Sequence, residues 1–101
     1  MIVARFDEVV HAPNRLRICA ILSAVDTADF ATVRDGLAVS DSVLSKHVAL
    51  LQISGYVAVE KRFGGARRRT SLSLTSAGRR AFDEHVAALR EITEGDARAR
   101  K

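Results

Sequence analysis

The chain has 101 residues, 48% of them apolar, 28% charged and only 5% aromatic, with a formal net charge of +4. That mixture excludes a disordered polyampholyte and supplies enough apolar side chains for one compact core, so a single domain over residues 1–101 is expected. The charge is uneven: residues 1–50 hold five basic and six acidic residues, whereas residues 51–101 hold eleven basic and six acidic. A surplus confined to one half points to a surface that faces a polyanion.

A lone cysteine, Cys19, rules out an internal disulfide and any multi-cysteine metal site. The longest unbroken apolar run, Ile18 to Leu22, is far too short to span a membrane, and Met1 to Val10 carries Asp7 and Glu8 instead of a signal-peptide layout. A reducing, cytoplasmic setting without a membrane partner is expected.

In chain order, Phe6, Val9 and Val10 share one helical face and predict a first helix near 3–11. Pro13 suits a helix start, and Ile18, Ile21, Leu22 and Val25 at i, i+3, i+4 and i+7 predict a second helix over 14–25. After the polar break Asp26 to Asp29, the spacing of Phe30, Val33 and Leu37 gives a short helix, 29–37, stopping at Gly36 or Leu37.

Ser40 reads as an N-cap and Asp41 favours the helix dipole, while Leu44, Val48 and Leu51 continue a helix over 41–53 that Gly55 ends. The period then changes to alternation. Tyr56 to Val59, and Thr70, Leu72 and Leu74 between Ser71 and Ser73, predict two strands of a hairpin over 56–74 with Gly64 and Gly65 at its tip. Thr75 caps a last helix, 75–94, in which Phe82, Val86, Leu89 and Ile92 form a stripe; the polar tail from Gly95 is expected to fray.

The expected fold class is therefore mainly α with a small β-hairpin, an α+β arrangement in the order helix, helix, short helix, tight turn, helix, hairpin, helix. This order resembles the winged helix-turn-helix, in which a second helix projects into the major groove while the one before it braces across the backbone. With Leu44, Val48 and Leu51 buried, Asp41, Ser42, Ser45, Lys46 and Ala49 fall on the opposite face, beside the cap Ser40. Hydroxyls and an ammonium there fit base edges and phosphates, with Ser42, Ser45 and Lys46 as the readers. Gln52 lies close to the helix end and is set aside. His47 sits between the two faces, where phosphate contact and an edge-of-core place are both open.

The hairpin carries the stronger signal. Residues 60–70 hold Lys61, Arg62, Arg67, Arg68 and Arg69 against Glu60 alone. Arginines on a projecting ribbon enter a minor groove or clamp phosphates, and Gly64 and Gly65 permit close backbone approach. Alternation forbids Arg67, Arg68 and Arg69 from all facing one way. Gly64-Gly65 is no P-loop, because no Gly-Lys-Ser/Thr follows and the next segment reads as strand.

The segments Ala12-Pro13-Asn14-Arg15-Leu16-Arg17-Ile18, Val39 to Val48, Leu51-Gln52-Ile53-Ser54-Gly55-Tyr56-Val57 and Leu74-Thr75-Ser76-Ala77-Gly78-Arg79-Arg80 together resemble the compact winged-helix regulators of the MarR/ArsR superfamily. The resemblance spans residues 10–92. It implies a homodimer on a pseudo-palindromic operator, usually as a repressor, with the terminal helices in the dimer contact. Phe6, Val9, Phe82, Val86, Leu89 and Ile92 are the candidate dimer residues, and burial within the same chain is an equal alternative for each.

Relatives of that kind sense metals or small molecules. Here Asp83 and His85 make at most half a carboxylate–histidine site, so no metal and no cofactor are expected. Cys19 between Ile18 and Ala20 reads as packing, and a small-molecule effector would need a cavity that the sequence does not define. Dispersed histidines and the absence of a paired acidic motif or a G-x-S-x-G elbow leave no catalytic constellation, so no enzyme is expected. The expected function is sequence-specific binding of double-stranded DNA in transcription regulation, with a protein-interaction winged helix as the alternative.

Overall fold

The computed structural model describes residues 4–64 and 67–99, and of residues 63, 64, 67, 68 and 96–99 it describes the backbone alone. The first helix, α1 (Glu8–His11), is shorter than the 3–11 expected from periodicity. Asp7 is the cause. Its backbone is extended (φ −122°, ψ 112°) and its carboxylate accepts from the N–H groups of Val9 at 2.9 Å and Val10 at 3.0 Å, so the helix starts after it.

Pro13 pushes Ala12 into an extended conformation (ψ 133°) and thereby separates α1 from α2 (Pro13–Ser23). Ile18, Cys19 and Leu22 of α2 are buried; Val25, expected on the same face, lies beyond the helix end and is exposed. A two-residue strand, β1 (Ala28–Asp29), occupies what the sequence reads as a polar break. α3 (Phe30–Leu37) follows and stops where Ala38 takes a left-handed conformation (φ 58°), its N–H bonding Asp35 O at 3.2 Å.

α4 (Asp41–Ile53) keeps the expected bounds. Ser40 Oγ accepts from Val43 N–H at 3.2 Å, and Leu44, Val48 and Leu51 are buried. At its other end Gly55 takes φ +80°, which lets Tyr56 N–H return to Leu51 O at 2.9 Å. β2 (Val57–Gly64) and β3 (Arg67–Leu74) pair antiparallel from Val57 opposite Leu74 to Gly64 opposite Arg67.

The sheet is three-stranded, β1-β3-β2, because Ala28 and Asp29 pair with Leu72 and Ser71. α5 (Ser76–Ala99) runs past the expected end at 94 and through Gly95. Val10 joins Ile18, Leu22, Val33, Leu37, Leu44, Val48, Leu51, Val57, Leu72 and Leu74 in one core, each such side chain contributing about 1.5–3 kcal/mol.

The hairpin closes on the first turn of α5. Tyr56 O accepts from Thr75 N–H at 3.0 Å, while Thr75 Oγ1 donates to Gly55 O at 2.6 Å and accepts from Gly78 N–H at 2.9 Å. Packing there is so close that a Cβ on Gly78 would stand 2.0 Å from Tyr56 O. Gly78→Ala is therefore expected to cost roughly 3 kcal/mol in urea unfolding, by overpacking against backbone. Gly95→Ala, with open space around it, should instead stabilise α5 by about 0.5–1 kcal/mol.

Candidate nucleic-acid interface

Two elements present the chemistry, the outer face of α4 and the exposed part of the β2–β3 hairpin. On α4, Ser42, Ser45 and Lys46 are exposed as their spacing requires. Ser40 and Asp41 are exposed too, but their side chains are occupied. Ser40 Oγ caps the helix and lies 3.3 Å from Ser42 Oγ. Asp41 is held at 2.9 Å by Arg34 of α3, which also pairs with Asp35 at 3.0 Å. Bonds to Asp41 and then to Asp35 push the Arg34 guanidinium further up from its ordinary range.

His47 lies at the border between the buried and the outer face of α4. It is half-buried, its Nδ1 lies 3.4 Å from the Arg15 guanidinium, and burial followed by the Arg15 charge holds it below the usual imidazole range. The ring braces α4 against α2.

Gln52, set aside from the sequence, is exposed beside the face that carries Ser45. With Ser45, Ala49, Lys61 and Thr70 it lines a groove of about 350 Å³ between α4 and the sheet, above Phe30 and Leu72. Gln52 is the last residue but one of α4, and its place in this groove depends on the facing strands, which leave no local pattern in the sequence.

On the wing, Lys61, Arg62 and Arg69 are exposed. Cross-strand register sets Arg62 opposite Arg69 and Lys61 opposite Thr70, so the arginine pair and Lys61 face opposite ways. Like charges directly opposite destabilise a sheet, and Glu60, 3.3 Å from Arg62, offsets only one of the two. Gly64, Arg67 and Arg68 are strand residues whose backbone alone is described; Gly65 lies outside the described residues.

The basic residues of the N-terminal half are differently employed. Arg15 donates to Val9 O, and Arg17 to Leu37 O at 3.5 Å and Gly36 O at 3.3 Å. Backbone carbonyls thus take guanidinium groups that would otherwise add to the anion-binding surface.

Of the candidate dimer residues, Phe6 is 40% exposed and Ile92 50%, while Val9, Phe82, Val86 and Leu89 are half-buried. Together they leave an incompletely covered apolar stripe along α5 and the N-terminal segment. Cys19 is fully buried, and burial pushes its thiol up to about 11, which removes thiolate reactivity at neutral pH.

Of the half-site considered from the sequence, His85 is fully buried whereas Asp83 is exposed. Among the described residues no three His, Cys, Asp or Glu side chains group as metal ligands, and no helix is long and apolar enough to cross a membrane.

This arrangement of helices and sheet coincides with a known one: residues 14–93 match the family described as winged helix DNA-binding domain. The chain belongs to that family. An uncharacterised protein of Methanocaldococcus jannaschii is 25% identical over 87 residues, covering 86% of this chain and 95% of its own. Among solved structures, a transcriptional regulator homologue from Pyrococcus horikoshii superposes with a TM-score of 0.83 at 24% identity, over 88% of each chain. A MarR family transcriptional regulator from Silicibacter pomeroyi gives 0.63 at 28% identity, over 86% of this chain and 60% of its own. The winged helix is thus of the MarR-like, DNA-binding type.

The Arg34–Asp41 pair carries a testable consequence. In Asp41→Asn the guanidinium keeps Asp35 but loses its second carboxylate and the face of α4 loses one negative charge, so affinity for random-sequence duplex should rise a few-fold and its salt dependence steepen by up to about one counterion. Fluorescence anisotropy across a salt series checks this, and adding Arg34→Gln should cancel the gain.

Proposed function

We propose that this winged helix is a transcriptional regulator that binds double-stranded DNA sequence-specifically as a homodimer and acts as a repressor at its operator. The observation that carries the DNA contact is the pair Arg62 and Arg69, set opposite one another on an exposed ribbon beside a helix face of Ser42, Ser45 and Lys46. Two guanidiniums that repel each other in the free protein are relieved by phosphate, and release of condensed counterions makes that contact favourable.

In this reading the two elements divide the labour. The wing supplies affinity through phosphates or an adjacent minor groove, and the hydroxyls, Lys46 and Gln52 of α4 reach base edges in the major groove. The half-exposed stripe of Phe6, Phe82, Val86, Leu89 and Ile92 would cover itself against a second copy and set two α4 helices one turn of DNA apart. A groove of about 550 Å³ between Arg5, Phe6, Tyr56 and Arg80 is where a small effector would sit. Its setting would be the cytoplasm, where DNA is reached and a free thiol persists.

Gel shift with a genomic fragment library and competitor DNA separates this reading from a protein-interaction module, since a module of that kind retards no fragment selectively. Replacing Arg67 and Arg68 together by alanine should weaken binding across all sequences and flatten its salt dependence by up to about two counterions. Replacing Ser45 should change fragment preference more than random-duplex affinity. Unchanged affinity in the arginine variant at physiological salt removes the wing from the account.

A further inference from the structure

The buried His85 belongs to no DNA contact, yet it joins parts of the chain more than seventy residues apart. Its Nδ1 accepts from Asp7 N–H at 2.9 Å, and its Nε2 lies 3.1 Å from His11 Nδ1. A backbone N–H cannot reverse its role, so the His85 ring proton sits on Nε2 and donates to His11, whose own proton sits on its outer nitrogen. The Phe6 ring covers both imidazoles with centroids 4.6 Å from each.

The same Asp7 reaches the root of the wing. Its carboxylate caps α1 through Val9 and Val10 and accepts from Tyr56 Oη–H at 2.6 Å. Burial pushes that carboxyl up, but the Tyr56 bond and the two N–H groups outweigh it and hold the group below the usual range. Tyr56 in turn ends the tight return from α4 and accepts the N–H of Thr75 at the hairpin's closure.

Any proton added to the pair must land on a nitrogen that is already accepting. On His11 Nδ1 it sets donor against donor between α1 and α5; on His85 Nδ1 it breaks the bond to Asp7. His11 is exposed to solvent and offers the proton a way in. Asp7 and Glu8 face His85 and favour its charged form, with Arg5 and Cys19 beside Asp7 and Tyr56. Burial and the neighbouring His11 outweigh the two carboxylates and hold His85 below the ordinary imidazole value.

We propose that the His11–His85 pair is a proton-operated latch: neutral, it holds the N-terminal segment, α5 and the root of the wing in the DNA-binding arrangement, and one proton in mild acid releases Tyr56 and weakens duplex binding. The released state takes the proton first, so the latched arrangement is fully favoured above the ordinary imidazole value of 6.5 and loses ground as pH falls below it. The duplex-binding half of this inference rests on the DNA contact proposed above.

Tyr56 is the only tyrosine and the chain has no tryptophan, so intrinsic emission reports this one phenol. A phenol donating to a carboxylate emits weakly and brightens on release. At constant ionic strength, between about pH 7.5 and about pH 5, emission should rise about two-fold while affinity for a labelled random-sequence duplex falls about ten-fold. His11→Asn keeps an accepting oxygen near the Nδ1 position and cannot take a proton, so its transition should move to lower pH. Protonation of His47 adds positive charge beside α4 and would strengthen binding, the opposite sign. A common midpoint for wild type and His11→Asn, or brightening without loss of affinity, overturns the latch. A wild type that binds no duplex near pH 7.5 contradicts the DNA reading instead, and the emission midpoints of the two proteins then decide the latch alone.

Discussion

The contact on which the remaining architecture depends is the closure of the hairpin against α5. Thr75 ties Gly55 O to Gly78 N–H while Tyr56 O takes the Thr75 N–H, and the absent Cβ of Gly78 lets the helix lie directly on Tyr56 backbone. One junction therefore ends α4, starts both wing strands in register and sends α5 back across α2. Displacing it would move the wing relative to the helix it accompanies, because it acts at the base of both strands, beside the core residues Val57, Leu72 and Leu74 and the short pairing of β3 with β1.

Charge is distributed by the same geometry. Arg15 and Arg17 spend their donors on carbonyls of Val9, Gly36 and Leu37, and Arg34 on two carboxylates, so three of the five basic residues of the near-neutral first half are engaged within the chain. The wing residues Lys61 and Arg69 have no such carboxylate within salt-bridge distance among the described residues. A modest net charge becomes uneven over the surface because three guanidiniums of the first half are engaged while Lys61 and Arg69 of the wing stand without a carboxylate among the described residues.

How much of this was legible in the sequence depended on the range of the interactions involved. α4 was readable to the residue, since Ser40 caps it and Gly55 ends it through local bonds. β1 was not, because two residues are too few to alternate and their pairing is with Leu72 and Ser71, more than forty positions away. The first helix was overextended because an apolar period continues through Phe6, whereas the Asp7 carboxylate fixes where the helix begins. Exposure of Ser42, Ser45 and Lys46 followed from periodicity. The engagement of Asp41 by Arg34, and of His85 by Asp7 and His11, did not, because side-chain partners on other elements leave no local pattern.

The central claim is that α4 and the β2–β3 hairpin meet the nucleic acid while α5 stays off it. Amide hydrogen exchange with and without duplex, at modest salt, tests this most directly. The account predicts added protection over residues 41–53 and 57–74 with no duplex-dependent change along residues 82–95. Protection concentrated on α5, or none on the hairpin, would contradict it.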